Sequence, residues 1–141
     1  MKIAIIMGRG IEGCGVTKFT VEQTKWLGKN GHDFAVFSSK DKSWTRKNAH
    51  DVSNVIQLKL AKHEETQKMI DGCNASDVVI INSLPSVGHP EECIKQFKRF
   101  LDEVHSPCFE RLDGDGHIDL RQSPVDAIGS ASWRATMSAS K

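Results

Sequence analysis

No apolar stretch near the start of the 141-residue sequence is longer than Ile3-Ala4-Ile5-Ile6-Met7, and Arg9 soon interrupts it. That is too short for a signal-peptide core and far too short for a membrane span. The expectation is a cytoplasmic protein with no membrane partner. Cysteine is also sparse: Cys14, Cys73, Cys93 and Cys108 are the complete set. No two stand at metal-ligand spacing and no histidine pair completes a zinc site with them, so reduced thiols and no metal are expected. His32, His50, His63 and His89 stand isolated and receive no chemistry. The sequence has no internal repeats. Its hydrophobic share of 38% and charged share of 26% exclude disorder along the whole chain and any fibrous class. A chain of this length buries about two thirds of its unfolded surface, enough for one real core.

The net charge of +1 hides an asymmetry. Up to Lys62 there are eleven lysines and arginines against five acids, an excess of six that the remainder of the chain reduces to one. A basic first half suits a polyanionic partner, although a solvated lysine face gives the same count.

Apolar runs alternate with amphipathic stretches. Ile3–Met7 reads as a strand buried on both faces. A glycine-dense turn follows, Gly8-Arg9-Gly10-Ile11-Glu12-Gly13-Cys14-Gly15-Val16. Thr17 to Asn30 reads as a helix with Phe19, Trp26 and Leu27 turned inward, stopped at Asn30-Gly31. Phe34–Phe37 and Val55–Leu58 read as strands, separated by the polar stretch Lys40 to Asp51 around Trp44. Ala61 to Gly72 reads as a helix anchored by Met69 and Ile70. Val78–Ile81 is the strongest strand, and Pro90-Glu91-Glu92 opens a helix carrying Ile94, Phe97, Phe100, Leu101 and Val104 at helical spacing. The alternation predicts a Rossmann-like, doubly wound parallel sheet in strand order 3-2-1-4 over residues 1–107. From Cys108 to Lys141 the apolar residues follow neither period, and an irregular tail is expected. Phe109 is followed at once by Glu110 and Arg111, so no fifth strand is expected there. Val78–Ile81 then becomes an apolar sheet edge, which invites self-association.

Gly8-Arg9-Gly10-Ile11-Glu12-Gly13 matches G-x-G-x-x-G between a strand and a helix. Small residues there let backbone amides approach an anion at the helix start. A nicotinamide dinucleotide is disfavoured, because the second strand ends in Ser38-Ser39-Lys40 and the nearest acid, Asp41, comes late in a basic loop. Neither glycine frame continues into the Lys-Ser/Thr pair of an ATP or GTP loop. What remains is a sugar-nucleotide or other phosphate site, or a tight turn. Four glycines between Gly8 and Gly15 exceed what a turn alone requires.

The string Met7-Gly8-Arg9-Gly10-Ile11-Glu12-Gly13-Cys14-Gly15-Val16-Thr17-Lys18-Phe19 resembles the amino-terminal loop of the DNA alpha-glucosyltransferases of T-even bacteriophages. Lys29-Asn30-Gly31-His32, Lys40-Asp41-Lys42-Ser43, His50-Asp51, Leu60-Ala61-Lys62 and Ile80-Ile81-Asn82-Ser83 extend the resemblance from Met1 to about Pro107. It implies the amino-terminal half of a two-domain GT-B fold. It also implies glucose transfer from UDP-glucose to 5-hydroxymethylcytosine in DNA, with retention, in the cytoplasm of the phage's host. UDP-glucose is then the donor substrate and DNA containing hydroxymethylcytosine the acceptor.

On that resemblance Gly13, Cys14, Gly15 and Val16 line the donor phosphate through backbone amides, or simply shape the turn. Glu12 meets a sugar hydroxyl or caps the helix. Lys40, Lys42, Arg46 and Lys47, with Trp44 among them, contact DNA phosphates, or form a solvated loop. The family also carries a histidine–aspartate–histidine cluster after its next strand. Here Asp113-Gly114-Asp115-Gly116-His117 stands in that place, which makes Asp115 and His117 the candidate catalytic counterparts. The Asp113-Gly114-Asp115 run fits neither a calcium loop nor the acidic pair of the other glycosyltransferase fold. The family's donor-gripping domain has no counterpart in these residues, and a frameshift or recombination near Cys108 is the expected account of the foreign tail. The expectation is a truncated glucosyltransferase, weak or inactive alone. The alternative is a non-catalytic DNA- or partner-binding module derived from that domain.

Overall fold

The computed structural model describes residues 1–8, 10, 15–40, 52–85 and 90–110. Five strands and three helices alternate: β1 (Lys2–Met7), α1 (Gly15–Lys29), β2 (Asp33–Ser39), β3 (Val55–Leu58), α2 (His63–Asn74), β4 (Val78–Ser83), α3 (Glu91–Glu103) and β5 (Cys108–Glu110). The strands form one sheet in the order β3-β2-β1-β4-β5, and every pairing is parallel. This is the expected order with one strand added.

The register shows why continuous apolar runs form the central strands. β1 lies between β2, with Ile5 opposite Val36, and β4, with Ile5 opposite Ile80. Its successive side chains point to opposite faces, and both faces are covered. Ile3, Ile5 and Met7 pack on the side of Leu27 from α1. Ala4 and Ile6 pack on the side of α2 and α3, with Phe37, Met69, Phe97 and Phe100. The rings of Phe97 and Phe100 lie 5.2 Å apart in a tilted contact. None of the described helices is long and apolar enough to cross a membrane.

Two expectations are corrected. The open sheet edge at Val78–Ile81 does not exist, because β5 pairs with it: Val79 lies opposite Cys108 and Ile81 opposite Glu110. The Val79 N–H donates to the Pro107 carbonyl at 2.8 Å, which begins the ladder. β4 is thus interior, and the ground for self-association through it falls away. Three residues are too few for a period to show in sequence. Cys108 is fully buried and Phe109 is 41% exposed, the alternation of a short edge strand. The sheet therefore continues past residue 107 to Glu110, and the expected tail from residue 111 onward lies outside the described residues.

The second correction concerns α1. Phe19 and Trp26 were expected inside, yet they are 40% and 59% exposed. The inward face is Thr17, Thr20, Thr24 and Leu27, spaced three and four apart. Phe19 and Trp26 stand seven residues apart on another face, so burying Leu27 turns both out. Trp26 stacks instead on the His32 ring, with centroids 6.0 Å apart.

Candidate functional site

β1 is the point at which the strand order reverses, since β2 and β3 lie to one side of it and β4 and β5 to the other. Successive crossovers leave in opposite directions there, and in open sheets of this kind that is where a ligand crevice forms, beyond the carboxyl ends of the strands. The chain leaving β1 is wedged into this place. The Gly8 N–H donates to the Ser83 carbonyl at 2.9 Å and the Gly10 N–H to the Met7 carbonyl at 3.0 Å. A Cβ on Gly8 would lie 2.8 Å from Pro85 Cδ and 2.9 Å from the Ser83 oxygen. At Gly10 it would lie 2.7 Å from the Ser39 oxygen, and the φ of +88° is one that side chains rarely adopt. The glycines at 8 and 10 are thus fixed by contact with β2 and β4.

α1 begins beyond this turn, with Gly15 and Val16 as its first residues. Its first turn holds no acid, so within α1 itself no carboxylate offsets the positive end of the helix dipole. The inner surface under α1 changes character along the strands. Toward their amino ends it is apolar, with Ile3, Phe34, Val78 and Ile80. Toward their carboxyl ends it is polar and still buried: Thr17, Thr20, Ser38 and Asn82 are each 4% exposed or less. Asn82 Nδ2 donates to Thr20 Oγ1 at 2.9 Å and to Gln23 Oε1 at 2.8 Å. These bonds tie α1 to the end of β4. The other end of the Asn82 amide, Oδ1, is buried and has no hydrogen-bond partner among the described residues.

Across the crevice, Lys40 follows β2 and is exposed. Its N–H donates to the Leu58 carbonyl at 2.9 Å, which sets it beside the residue that follows β3.

The sequence-derived candidates divide accordingly. Gly15 and Val16 open α1, and Lys40 follows β2 at the same carboxyl ends of the strands. Glu12, Gly13 and Cys14, then Lys42, Arg46 and Lys47 with Trp44, and finally Asp115 and His117 lie outside the described residues. Sequence reasoning missed Asn82 and its partners Thr20 and Gln23. Its signal was an amide at the end of an otherwise apolar strand. Among the described residues no three histidine, cysteine, aspartate or glutamate side chains group closely enough to hold a metal ion.

The three described cysteines stand away from this chemistry. Cys73, Cys93 and Cys108 are buried thiols outside any disulfide. Burial pushes the Cys108 thiol up to about 12. Cys73 is raised further, by burial first and by the neighbouring Cys108 second. Neither forms a thiolate near neutral pH, so neither is a nucleophile.

The sequence model of the family described as DNA alpha-glucosyltransferase matches residues 14–112. The DNA alpha-glucosyltransferase of Enterobacteria phage T4 is 43% identical over 106 residues, which are 74% of this chain and 26% of that one. A solved alpha-glucosyltransferase in complex with UDP and a 13-mer DNA containing an HMU base superimposes with a TM-score of 0.78 at 37% identity, covering 94% of this chain and 36% of that one. Another, in complex with UDP-glucose and DNA containing an abasic site, gives 0.71 at 42% identity, covering 78% and 28%. The chain spans between a quarter and a little over a third of these relatives. Its sheet and flanking helices are those of the amino-terminal domain of a GT-B glycosyltransferase. The chain belongs to the DNA alpha-glucosyltransferase family.

Proposed function

We propose that these residues form the acceptor-side domain of an enzyme that transfers glucose from UDP-glucose to 5-hydroxymethylcytosine in DNA. The observation that carries this reading is the strand-order reversal at β1, with a helix first turn free of acids on one side and the exposed Lys40 after β2 on the other. In a chain of this family the two sides suit the two substrates. Relatives have been solved with UDP-glucose or UDP and with DNA.

Gly13, Cys14, Gly15 and Val16 approach the donor phosphate through backbone amides, where the dipole of α1 favours negative charge. Glu12 meets a hydroxyl of the sugar. Lys40, Lys42, Arg46 and Lys47 neutralise DNA phosphates and position the duplex without reading its sequence. The base to be modified has to leave the stack to reach the crevice. Asp115 and His117 are the candidates for the acid–base group of the reaction.

Holding donor and acceptor in one geometry supplies up to about 7–11 kcal/mol of a bimolecular barrier. Donor grip from the far side of the cleft is part of that geometry, and the 141 residues hold one side. As a separate chain they are expected to bind duplex DNA in a salt-sensitive way, bind UDP-glucose weakly and transfer little or no glucose. Calorimetric titration with UDP-glucose, beside a DNA-binding series in rising salt, tests this. No DNA binding even at low salt, or affinity that ignores salt, overturns the acceptor-side assignment. Robust turnover by the 141 residues overturns the two-sided requirement.

A further inference from the structure

The turn between β3 and α2 presents two lysines beside Lys40, on a backbone fixed by buried groups. Lys59 follows the carboxyl end of β3, as Lys40 follows that of β2, and the hydrogen bond from Lys40 to Leu58 places the two exits side by side. The Lys62 N–H donates to the Lys59 carbonyl at 2.9 Å and closes the turn. Leu60, 2% exposed, plugs the turn into the core. Thr66, fully buried, donates from Oγ1 to the Leu60 carbonyl at 3.0 Å and from its N–H to the Lys62 carbonyl at 3.1 Å. Arg99 of α3 donates from Nη1 to the His63 carbonyl at 3.2 Å and holds the start of α2. The backbone is therefore pinned from inside, while Lys40, Lys59 and Lys62 are exposed.

Charge compensation differs from that on the helices. Lys25, Lys68 and Lys95 each lie 3.7 to 3.9 Å from a carboxylate one helical turn away. No ion pair with a described residue is formed by Lys40, Lys59 or Lys62. Of the two acids in the first turn of α2, Glu65 is turned to Lys68 at 3.8 Å and Glu64 is exposed. Among the described residues, three ammonium groups thus share one edge with a single uncommitted carboxylate from the adjoining helix. Neighbouring strands are about 4.8 Å apart, and one DNA strand carries a charge every ~3.4 Å of helix axis. The two spacings are of the same order, so long lysine side chains on adjacent strand exits can reach successive phosphates of one nucleic-acid strand.

We infer that the β3–α2 turn is a second phosphate-contacting element for duplex DNA, with Lys59 and Lys62 as its contacts and Lys40 linking it to the β2 exit. The inference rests on the acceptor-side reading above and adds a surface to it. These contacts carry affinity and register but no base recognition.

The test is a DNA-binding series in rising salt on the full 141-residue chain, comparing the Lys59→Ala/Lys62→Ala double variant with a Lys2→Ala/Lys29→Ala control. Lys2 and Lys29 are also exposed and lie at the opposite end of the strands, so the control removes the same charge from another place. Each phosphate contact contributes about 0.9 to the slope of log affinity against log salt, so the first variant should lose about 1.8. Extrapolated from 1 M salt, that is a fall on the order of fiftyfold at about 0.1 M. It should be equal for duplexes with and without hydroxymethylcytosine, with the slope of the control nearly unchanged. Equal losses in the two variants would show net charge alone at work and overturn the inference. A loss confined to hydroxymethylated DNA would overturn the phosphate assignment. Binding by the parent chain with no loss in the Lys59/Lys62 variant refutes the turn's role and leaves the acceptor-side reading standing. No binding by the parent chain refutes both.

Discussion

At the scale of single residues, the crevice depends on positions where a side chain cannot fit. Gly10 combines a φ of +88° with a Cβ position 2.7 Å from the Ser39 oxygen, a backbone atom of a central strand that has little room to move. Gly10→Ala is expected to cost about 1–3 kcal/mol, adding left-handed strain to the clash. A denaturant midpoint that falls without a change in slope checks it. Asn82→Ala removes the amide that joins α1 to β4 and leaves Thr20 and Gln23 without that partner. A cost of roughly 1–3 kcal/mol is expected by the same measurement. The thiols supply a pH test. Burial raises Cys73 and Cys108 from the ordinary value of about 9, the latter to about 12. The folded chain therefore holds protons that the unfolded chain releases. Their contribution to stability is full below pH 9 and is lost as pH rises toward 12. Alkylation of both thiols at pH 8 should be negligible in the native protein and complete in denaturant, as peptide mass mapping would show.

The glycines were legible in the sequence because their spacing between a strand and a helix is a known device. Asn82 was not. A lone asparagine after four apolar residues reads equally as the first residue of a turn, and only the position of α1 shows that its amide is buried against Thr20. Lys59 and Lys62 were visible as charge. Their place beside Lys40 follows from the pairing of β2 with β3, which the sequence does not state.

At the scale of elements, legibility tracked length and periodicity. The apolar runs Ile3–Met7 and Val78–Ile81 marked β1 and β4 correctly, and Pro90 with Glu91 and Glu92 marked the start of α3. The inward face of α1 was misread because large aromatics are usually core. Here threonines fill that face, where Asn82 and Ser38 make the sheet polar. The structure therefore predicts an inversion of the usual ranking. Leu27→Ala should cost about 2–4 kcal/mol as a buried large-to-small change, whereas Phe19→Ala should cost under ~1 kcal/mol. Equal costs by thermal or denaturant unfolding would contradict the orientation. β5 was missed because three residues carry no period, yet it covers the flank of β4. A chain ended at Ser106 uncovers that flank and should self-associate in light scattering at concentrations where the full chain does not.

At the scale of the whole molecule, one edge of the sheet gathers the features that matter. The carboxyl ends of the strands carry the glycine turn, the start of α1, the buried Asn82 amide and the lysines at the exits of β2 and β3. The opposite ends carry Lys2, His32 and Asp77, and bonds that serve the fold, such as Lys2 N–H to Asp77 Oδ2 at 2.7 Å. This division follows from the parallel sheet, which sends every helix start and every strand exit to the same side. Sequence patterning anticipated the order of the first four strands.

The most direct measurement is a nuclear magnetic resonance titration of the isotopically labelled 141-residue chain with a short duplex containing hydroxymethylcytosine. The account predicts that amide shifts concentrate at Gly8, Gly10, Gly15, Val16, Lys40 and Lys59 to Lys62, and fade as salt is raised. Shifts centred on Lys2, His32 and Asp77, or spread evenly over both ends of the sheet, would contradict it.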